Sequence, residues 1–193
     1  MNRYITQIKV TALTAMLSCS YGVSAAPYVG FSIGQATIDD ACDDINIPGV
    51  SCDDSDTSFK IYGGSKVNKN FGFEIAYVDM GQAELTDGVT TIKYEATGFN
   101  FSALGIIPVS NNVDIFGKAG LMLWDAEASI SAPFNVSEDD NGTDITFGVG
   151  INFNASEKFA IRAEFEKFNN VGDEDTTGES SVTVLTVGAI MYF

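Results

Sequence analysis

Five charged side chains stand within apolar or glycine-rich stretches of this sequence, where an isolated ion would be costly. They alternate with apolar residues, which places them on one face of an extended chain. Because a buried ion costs several kcal/mol unless it is paired, the pattern predicts an internal ion-pair network built from Lys60, Glu74, Lys118, Arg162 and Glu164. Such a network either fills the interior of the fold or gates a narrow ion pathway.

The composition offers little for catalysis. The 193 residues include no histidine, which removes the Ser-His and Cys-His mechanisms and the common zinc ligand set. The paired acids stand in polar segments, without an apolar pocket to raise the pKa of one carboxyl group. We expect no enzyme activity, no cofactor and no resident metal. The acidic clusters are interpreted as solvated, with weak binding of divalent ions as the alternative. They are Asp39, Asp40, Asp43 and Asp44, then Glu138, Asp139 and Asp140, and the pair Asp173 and Asp175.

The N-terminus predicts a signal peptide over residues 1–25. Arg3 and Lys9 give a positively charged start, an apolar stretch follows from about Val10 to Leu17, and Val23-Ser24-Ala25 fits a small-residue cleavage site. The apolar stretch is too short for a spanning helix. Loss of the two basic residues would take the formal charge from −16 to −18, which argues against nucleic acid as a partner. Residues 26–193 would then form one domain.

Two cysteines remain in that domain, Cys42 and Cys52, both in a polar segment. An exported protein meets an oxidising compartment, so a disulfide is the default expectation. Zinc competes poorly, because two thiols without histidine make a weak site. The sequence therefore predicts a Cys42–Cys52 disulfide, which the chain-entropy model values at roughly 2–3 kcal/mol.

Period-two segments recur through the domain at lengths that suit membrane-crossing strands, about 9–11 residues or slightly more. They are 27–37, 57–66, 71–80, 95–108, 113–124, 143–153, 158–168 and 181–193. One face of each is apolar, and the other is rich in glycine with a few charges, as a narrow barrel interior requires. The predicted fold class is all-β: an eight-stranded antiparallel transmembrane β-barrel of the outer membrane. Aromatic girdles are predicted at Tyr28, Tyr77, Trp124, Phe168 and Phe193.

The connections between these segments alternate between short and long. The short polar turns are 67–70, 110–112 and 154–157. The long connections hold 18 of the 26 acidic residues and are 38–56, 81–94, 125–142 and 169–180. This asymmetry is typical of outer-membrane barrels. It predicts acidic extracellular loops and periplasmic termini.

The last segment ends on Phe193, in register with an apolar face that includes Leu185, Val187, Ala189 and Met191. A soluble edge strand usually carries polar or charged residues instead. The pattern is similar to the C-terminal signature by which outer-membrane barrels are recognised for insertion. The barrel-insertion machinery is therefore an expected partner, with Phe193 as the candidate residue.

Several short motifs resemble the barrel family of outer membrane protein A. They are Tyr28-Val29-Gly30-Phe31, residues 49–54, residues 71–79, Phe116-Gly117-Lys118-Ala119-Gly120, residues 143–150 and residues 187–193. The resemblance implies eight antiparallel strands in the outer membrane, contact with its lipids and lipopolysaccharide, and an internal gate. Many members carry a second domain that binds peptidoglycan; since the sequence stops at Phe193, we expect none here.

The predicted function is structural: maintaining the envelope and presenting acidic loops, one of them fastened by the disulfide. Two alternatives remain, a low-conductance pore for ions or small solutes, and an adhesin or receptor that binds an extracellular ligand through its loops. A soluble ligand-binding barrel is a more distant alternative. It would need its apolar residues inside and its charges outside.

Overall fold

The computed structural model describes residues 26–39, 41–42, 49–131, 136–172 and 180–193. The strands among these residues are β1 (Ala26–Ile38), β2 (Ser51–Asp53), β3 (Ser55–Lys66), β4 (Phe71–Thr86), β5 (Thr91–Pro108), β6 (Val113–Ser131), β7 (Val136–Asn154), β8 (Phe159–Val171) and β9 (Ser180–Tyr192). The predicted signal peptide, 1–25, lies outside the described residues. Within the described ranges, no helix is long and apolar enough to cross a membrane.

Eight of the strands close into an antiparallel barrel. From β3 to β9 each strand pairs with the next along the chain, while β1 pairs with both β3 and β9 and so completes the ring. The short β2 precedes β3, separated from it by one residue, Asp54, and pairs with β4. Closure matters because unpaired backbone groups at a sheet edge would be costly in lipid. The predicted eight-stranded barrel is confirmed.

Alternation along each strand separates an apolar outer wall from a polar and glycine-containing interior. On β4, Phe71 and Phe73 are 62% and 61% exposed, whereas Gly72 and Glu74 between them are buried. The outer apolar belt ends at a ring of outward polar side chains, one from each barrel strand, namely Gln35, Thr57, Asp79, Thr97, Asp125, Thr143, Lys167 and Thr183. This arrangement is the reverse of what a soluble ligand-binding barrel needs.

Two hairpins extend past the polar ring, where the sequence predicted long loops. β4 and β5 continue to Thr86 and Thr91, so residues 87–90 alone connect them. β6 and β7 reach Ser131 and Val136, and most of the predicted loop 125–142 is therefore strand. We call these two extensions the crown; they are residues 80–96 of the first hairpin and residues 126–131 and 136–142 of the second. The loop prediction was wrong because outside the belt the outward side chains are polar and the buried inward ones, such as Ala83, Ala96 and Ala126, are small. The apolar alternation that marks a membrane-crossing strand therefore fades.

The connection at the tip of the first hairpin is fixed by one side chain. The backbone N–H groups of Val89 and Thr90 donate to Asp87 Oδ1 at 2.9 and 2.7 Å. These two donors, with that of Thr90 the stronger, hold the pKa of the Asp87 carboxyl below its ordinary value. Gly88 takes the left-handed backbone conformation that the tight connection needs, with φ of 85°.

Three residues predicted in the aromatic girdles face the interior instead. Tyr28, Trp124 and Phe168 are 3%, 5% and 0% exposed. Tyr28 lies across the sheet from Gly64, where an added Cβ would come 2.5 Å from its ring, and Trp124 lies across from Gly142 in the same way. The girdle prediction was wrong because it did not follow the alternation of inward and outward side chains along each strand. Tyr28 alternates with the outward Val29 and belongs to the inner row. Phe193, 70% exposed, does face outward.

The disulfide ties the segment after β1 to β2, which pairs with the part of β4 that lies in the crown. Cys42 and Cys52 are bonded, with Cα atoms 5.8 Å apart. Cys52 lies in β2 and pairs with Leu85 of β4, so the bond fixes the connection against an already paired strand. The covalent link lies beyond the polar ring.

Removing this disulfide should loosen the connection while leaving the barrel intact. The bond closes a short loop, so Cys52→Ser should lose roughly 2–3 kcal/mol of local stability in the chain-entropy model. We expect faster proteolysis between residues 38 and 56 and an unchanged gel shift on boiling, with Ser51→Ala as the control. A variant that no longer shifts on boiling would contradict a purely local role.

Candidate functional site

Six ionised side chains cross the barrel interior at mid-height. They come from four strands and are Lys60 on β3, Glu74 on β4, Lys118 on β6, and Arg162, Glu164 and Glu166 on β8. None of these side chains is more than 2% exposed. Three are positive and three negative, so the set is formally neutral. We call it the ionic layer.

Two lysines connect the carboxylates of the ionic layer. Lys60 Nζ pairs with both Glu164 and Glu166. Lys118 Nζ lies 2.6 Å from Glu164 Oε1 and 3.4 Å from Glu74 Oε1, and it also pairs with Glu166. Each carboxylate therefore faces at least two cationic side chains, which is what allows the charges to remain buried.

Arg162 is held by an ion pair, an amide and aromatic rings. Its guanidinium pairs with Glu74, and its Nε donates to Asn152 Oδ1 at 2.9 Å. The guanidinium carbon lies 4.6 Å from the ring centre of Phe116 and 4.8 Å from that of Tyr62. A planar guanidinium suits such a site, because it can donate in its plane and stack on rings through its faces.

Gly148 of β7 has no side chain, and this leaves space for two side chains of the ionic layer. Gly148 is paired across the sheet with Lys118 on one side and Glu166 on the other. A Cβ added there would come 2.9 Å from Glu166 Cγ and 3.1 Å from Lys118 Cε. The glycine-rich inner face of the sequence is thus the space that long ionic side chains occupy.

The structure brings together all five residues that the sequence assigned to the network. Sequence reasoning missed Glu166, although it alternates with Glu164 on the same inner row. Charge balance was the available signal, because the five predicted residues hold three cations and two anions. Tyr28 was also missed: its hydroxyl donates to Glu74 Oε2 at 2.9 Å. So was Asn100, whose Nδ2 donates to Glu166 Oε1 at 3.2 Å.

A separate ion pair lies at the end of the barrel that holds the termini. Lys66 Nζ is 3.1 Å from Asp114 Oδ2, and Asn154 Nδ2 donates to the same oxygen at 3.2 Å. Lys66 also lies 5.0 Å from the ring centre of Tyr192. The side chains of Lys66 and Asp114 are 23% and 11% exposed, so this pair sits at the mouth and not within the ionic layer.

The predicted acidic clusters are only partly within the described residues. Asp39 pairs with Lys167 at 2.7 Å and accepts a hydrogen bond from Thr183 Oγ1 at 3.2 Å. Glu138, Asp139 and Asp140 lie on β7 of the crown and not in a loop. Asp40, Asp43, Asp44, Asp173 and Asp175 fall outside those residues. Among the side chains that are described, no group of three or more metal-ligating residues is placed to hold an ion.

Phe193 lies at the rim that holds the termini. Its backbone N–H donates to Pro27 O at 3.0 Å, which joins the two ends of the described chain. Its ring continues the outward row of β9. Its part in recognition by the insertion machinery stays a prediction.

Comparison with known proteins places this geometry in a family. The model of the OmpA-like transmembrane domain matches residues 24–193. Outer membrane protein A of Salmonella typhi is 30% identical over 119 residues, which cover 61% of this chain and 34% of that protein. Outer membrane protein A of Yersinia pseudotuberculosis is 25% identical over 182 residues, covering 89% of this chain and 51% of that protein. The chain thus spans a third to a half of these relatives.

Solved structures show the same fold at lower sequence identity. Neisserial surface protein A aligns with a TM-score of 0.58 and 18% identity, over 88% of this chain and 99% of that one. Ail, the attachment invasion locus protein of Yersinia pestis, aligns with a TM-score of 0.56 and 16% identity, over 88% and 97%. These likenesses support the barrel architecture and carry no further assignment.

Proposed function

This chain belongs to the OmpA-like transmembrane domain family, and from that premise we propose that it acts as a closed structural barrel that presents the crown at the cell surface. It is an outer-membrane protein, in contact with the lipids of that membrane. The observation that carries the proposal is the ionic layer, which fills the middle of the barrel with paired, buried side chains. A scaffold whose interior is occupied fits an envelope role better than an open channel.

Barrel size supports this interpretation. An eight-stranded barrel has an interior just wide enough for side chains to fill. Here the six side chains of the ionic layer meet one another across that space, and all are at most 2% exposed. An ion crossing the barrel would have to displace groups already bound to each other. All six charged groups of the ionic layer are also paired with one another, and from this we propose that the chain catalyses no reaction.

The crown suits a surface that stays solvated. Glu95, Glu127 and Asp139 lie directly opposite one another across β5, β6 and β7 and are exposed. Opposed like charges are unfavourable in a sheet, but charged strands resist unwanted pairing with other chains. The acidic hairpins are therefore consistent with presentation to the outside medium.

The difference between the two rims supports an orientation in the membrane. The rim with the termini has the short connections 67–70, 109–112 and 155–158, whereas the opposite rim carries the crown. Outer-membrane barrels place short turns in the periplasm and longer extensions outside. We propose periplasmic termini and an extracellular crown, with lipopolysaccharide around the polar ring and the barrel-insertion machinery as the assembly partner.

The test begins with membranes and continues in planar bilayers. The protein should remain in washed outer membranes and change its gel migration on boiling. Purified into a bilayer, it should conduct no more than a protein-free membrane. A washable protein without a gel shift would overturn the barrel's location, and sustained conductance of the parent would overturn the closed scaffold.

The second candidate, a low-conductance pore, has one specific observation in its favour. Lys118 contacts Glu74, Glu164 and Glu166, so it has several partners between which it could exchange. Brief openings of the parent that disappear in Lys118→Met would favour this candidate. The third candidate, an adhesin or receptor, would act through the crown, and loss of cell or phage attachment on crown deletion would favour it.

A further inference from the structure

Towards the crown, the barrel interior changes from ionic to apolar. A second set of inward side chains fills the cross-section directly beyond the ionic layer. All are at most 2% exposed: Val78, Met80, Met122, Phe168, Val182 and Val184. We call this set the upper apolar layer. It belongs to one continuous buried cluster of apolar residues.

Strand periodicity places the two layers in contact. On β4, the inner row that contains Glu74 continues through Ala76 to Val78. On β6, the row that contains Lys118 continues through Gly120 to Met122. On β8, the inward position that follows Glu166 is Phe168. Each strand that contributes to both layers therefore passes from ion to hydrocarbon within one or two inward positions.

The polar side chains near the upper apolar layer offer an entering ion few hydrogen-bonding groups that are not already paired. The Ser58 hydroxyl donates to the backbone oxygen of Asp79 at 2.6 Å, and Asp144 accepts from Trp124 Nε1 at 3.1 Å. Thr146 is the exception, since its buried hydroxyl has no hydrogen-bond partner among the described residues. One hydroxyl cannot replace the hydration shell of an ion.

The two layers oppose an ion in different ways. Within the ionic layer, an entering ion meets carboxylates or ammonium groups that can substitute for water. Within the upper apolar layer it meets side chains that cannot, so the full cost of dehydration remains. Apolar constrictions close channels by excluding water in this manner. The higher barrier is therefore expected beyond the ionic layer.

We propose that the upper apolar layer is the principal seal of this barrel, so that opening the ionic layer alone does not produce a pore. The proposal rests on the closed scaffold argued above and identifies which residues close it. The ionic layer is then a dry structural element whose pairing can change without admitting ions. Val78, Met122 and Phe168 become the residues that determine permeability.

The experiment compares four forms of the full protein in planar bilayers. They are the parent, Lys118→Met, the pair Met122→Ser with Phe168→Ser, and all three changes together. We expect Lys118→Met to match the parent. The triple variant should conduct about tenfold more than either of these two forms, because it alone combines loss of the apolar barrier with loss of the Lys118 ion pairs. A matched control keeps the layer apolar: Lys118→Met with Met122→Leu and Phe168→Leu should remain silent.

Each outcome decides the matter once a gel shift on boiling shows that the variant is folded. Conductance of Lys118→Met equal to that of the triple variant would make the ionic layer the seal and overturn the proposal. A folded triple variant that stays silent would overturn it as well. If the parent itself conducts, the closed scaffold fails first. If a serine variant does not fold, Met122→Thr with Val184→Thr replaces the serine pair in the same comparison.

Discussion

Glu74→Ala should lower the free energy of unfolding by about 3–5 kcal/mol, the loss expected when one partner of a buried ion pair is removed. Glu74 is the carboxylate that pairs with Arg162, lies 3.4 Å from Lys118 Nζ and accepts a hydrogen bond from Tyr28. Without it, the ionic layer holds three cations and two anions in a space closed to water. The cost is that of an uncompensated buried charge.

Urea unfolding in lipid vesicles measures this cost. Trp124 is the sole tryptophan and is buried, so its fluorescence reports loss of the barrel interior. Glu84→Ala is the matched control, because Glu84 is 39% exposed and lies 3.5 Å from Lys93; exposed pairs contribute at most about 1 kcal/mol. If Glu74→Ala and Glu84→Ala lowered the free energy of unfolding equally, burial of the ionic layer would not be the reason for the cost of removing a charge.

A charge-balanced double substitution separates charge from packing. Glu74→Met combined with Arg162→Met leaves Lys60 and Lys118 opposite Glu164 and Glu166, so neutrality returns. Apolar replacement of a buried pair is often neutral or stabilising, and the double variant should recover most of the stability lost in Glu74→Ala. A double variant at least as unstable as Glu74→Ala would assign the effect to shape and hydrogen bonding.

Gly34→Val should disrupt barrel closure. Gly34 lies on β1, opposite β9, at the seam where the first and last barrel strands pair. A Cβ at this position would be 1.8 Å from the backbone oxygen of Leu185 and 2.7 Å from Thr186 Cα. Backbone atoms cannot rotate away as a side chain can. We therefore expect a loss at the upper end of the range for overpacking, about 3 kcal/mol or more.

The readout is the fraction of protein that refolds into vesicles and shifts its migration on boiling. Gly105→Val is the control, because a Cβ there would have its nearest neighbour, Gly117 O, at 4.0 Å. It should refold like the parent. Normal refolding of Gly34→Val would mean that the seam between β1 and β9 can widen without loss of pairing.

The inner and outer rows could be derived from the sequence because strand periodicity is local. Parity alone puts Glu74 inside and Phe73 outside, and it would have put Tyr28 inside had it been applied there. The same alternation places Glu166 in the inner row, because it stands two positions after Glu164. The crown could not be derived in this way. Its strands continue because neighbouring backbones pair, as in Glu95 with Glu127, and no apolar face marks them.

The sequence by itself determined the eight membrane-crossing strands, their order and the face on which each side chain lies, since alternation depends only on adjacent residues. The tertiary structure decided which ions meet. Lys60 and Glu164 are 104 positions apart, and they become partners because closure and register bring β3 and β8 to the same height across the interior. The sequence likewise contains the inward apolar residues that form the upper apolar layer, but it does not show that they meet. Only the closed barrel makes those residues one layer, because side chains from separate strands share a cross-section once the sheet has curved onto itself.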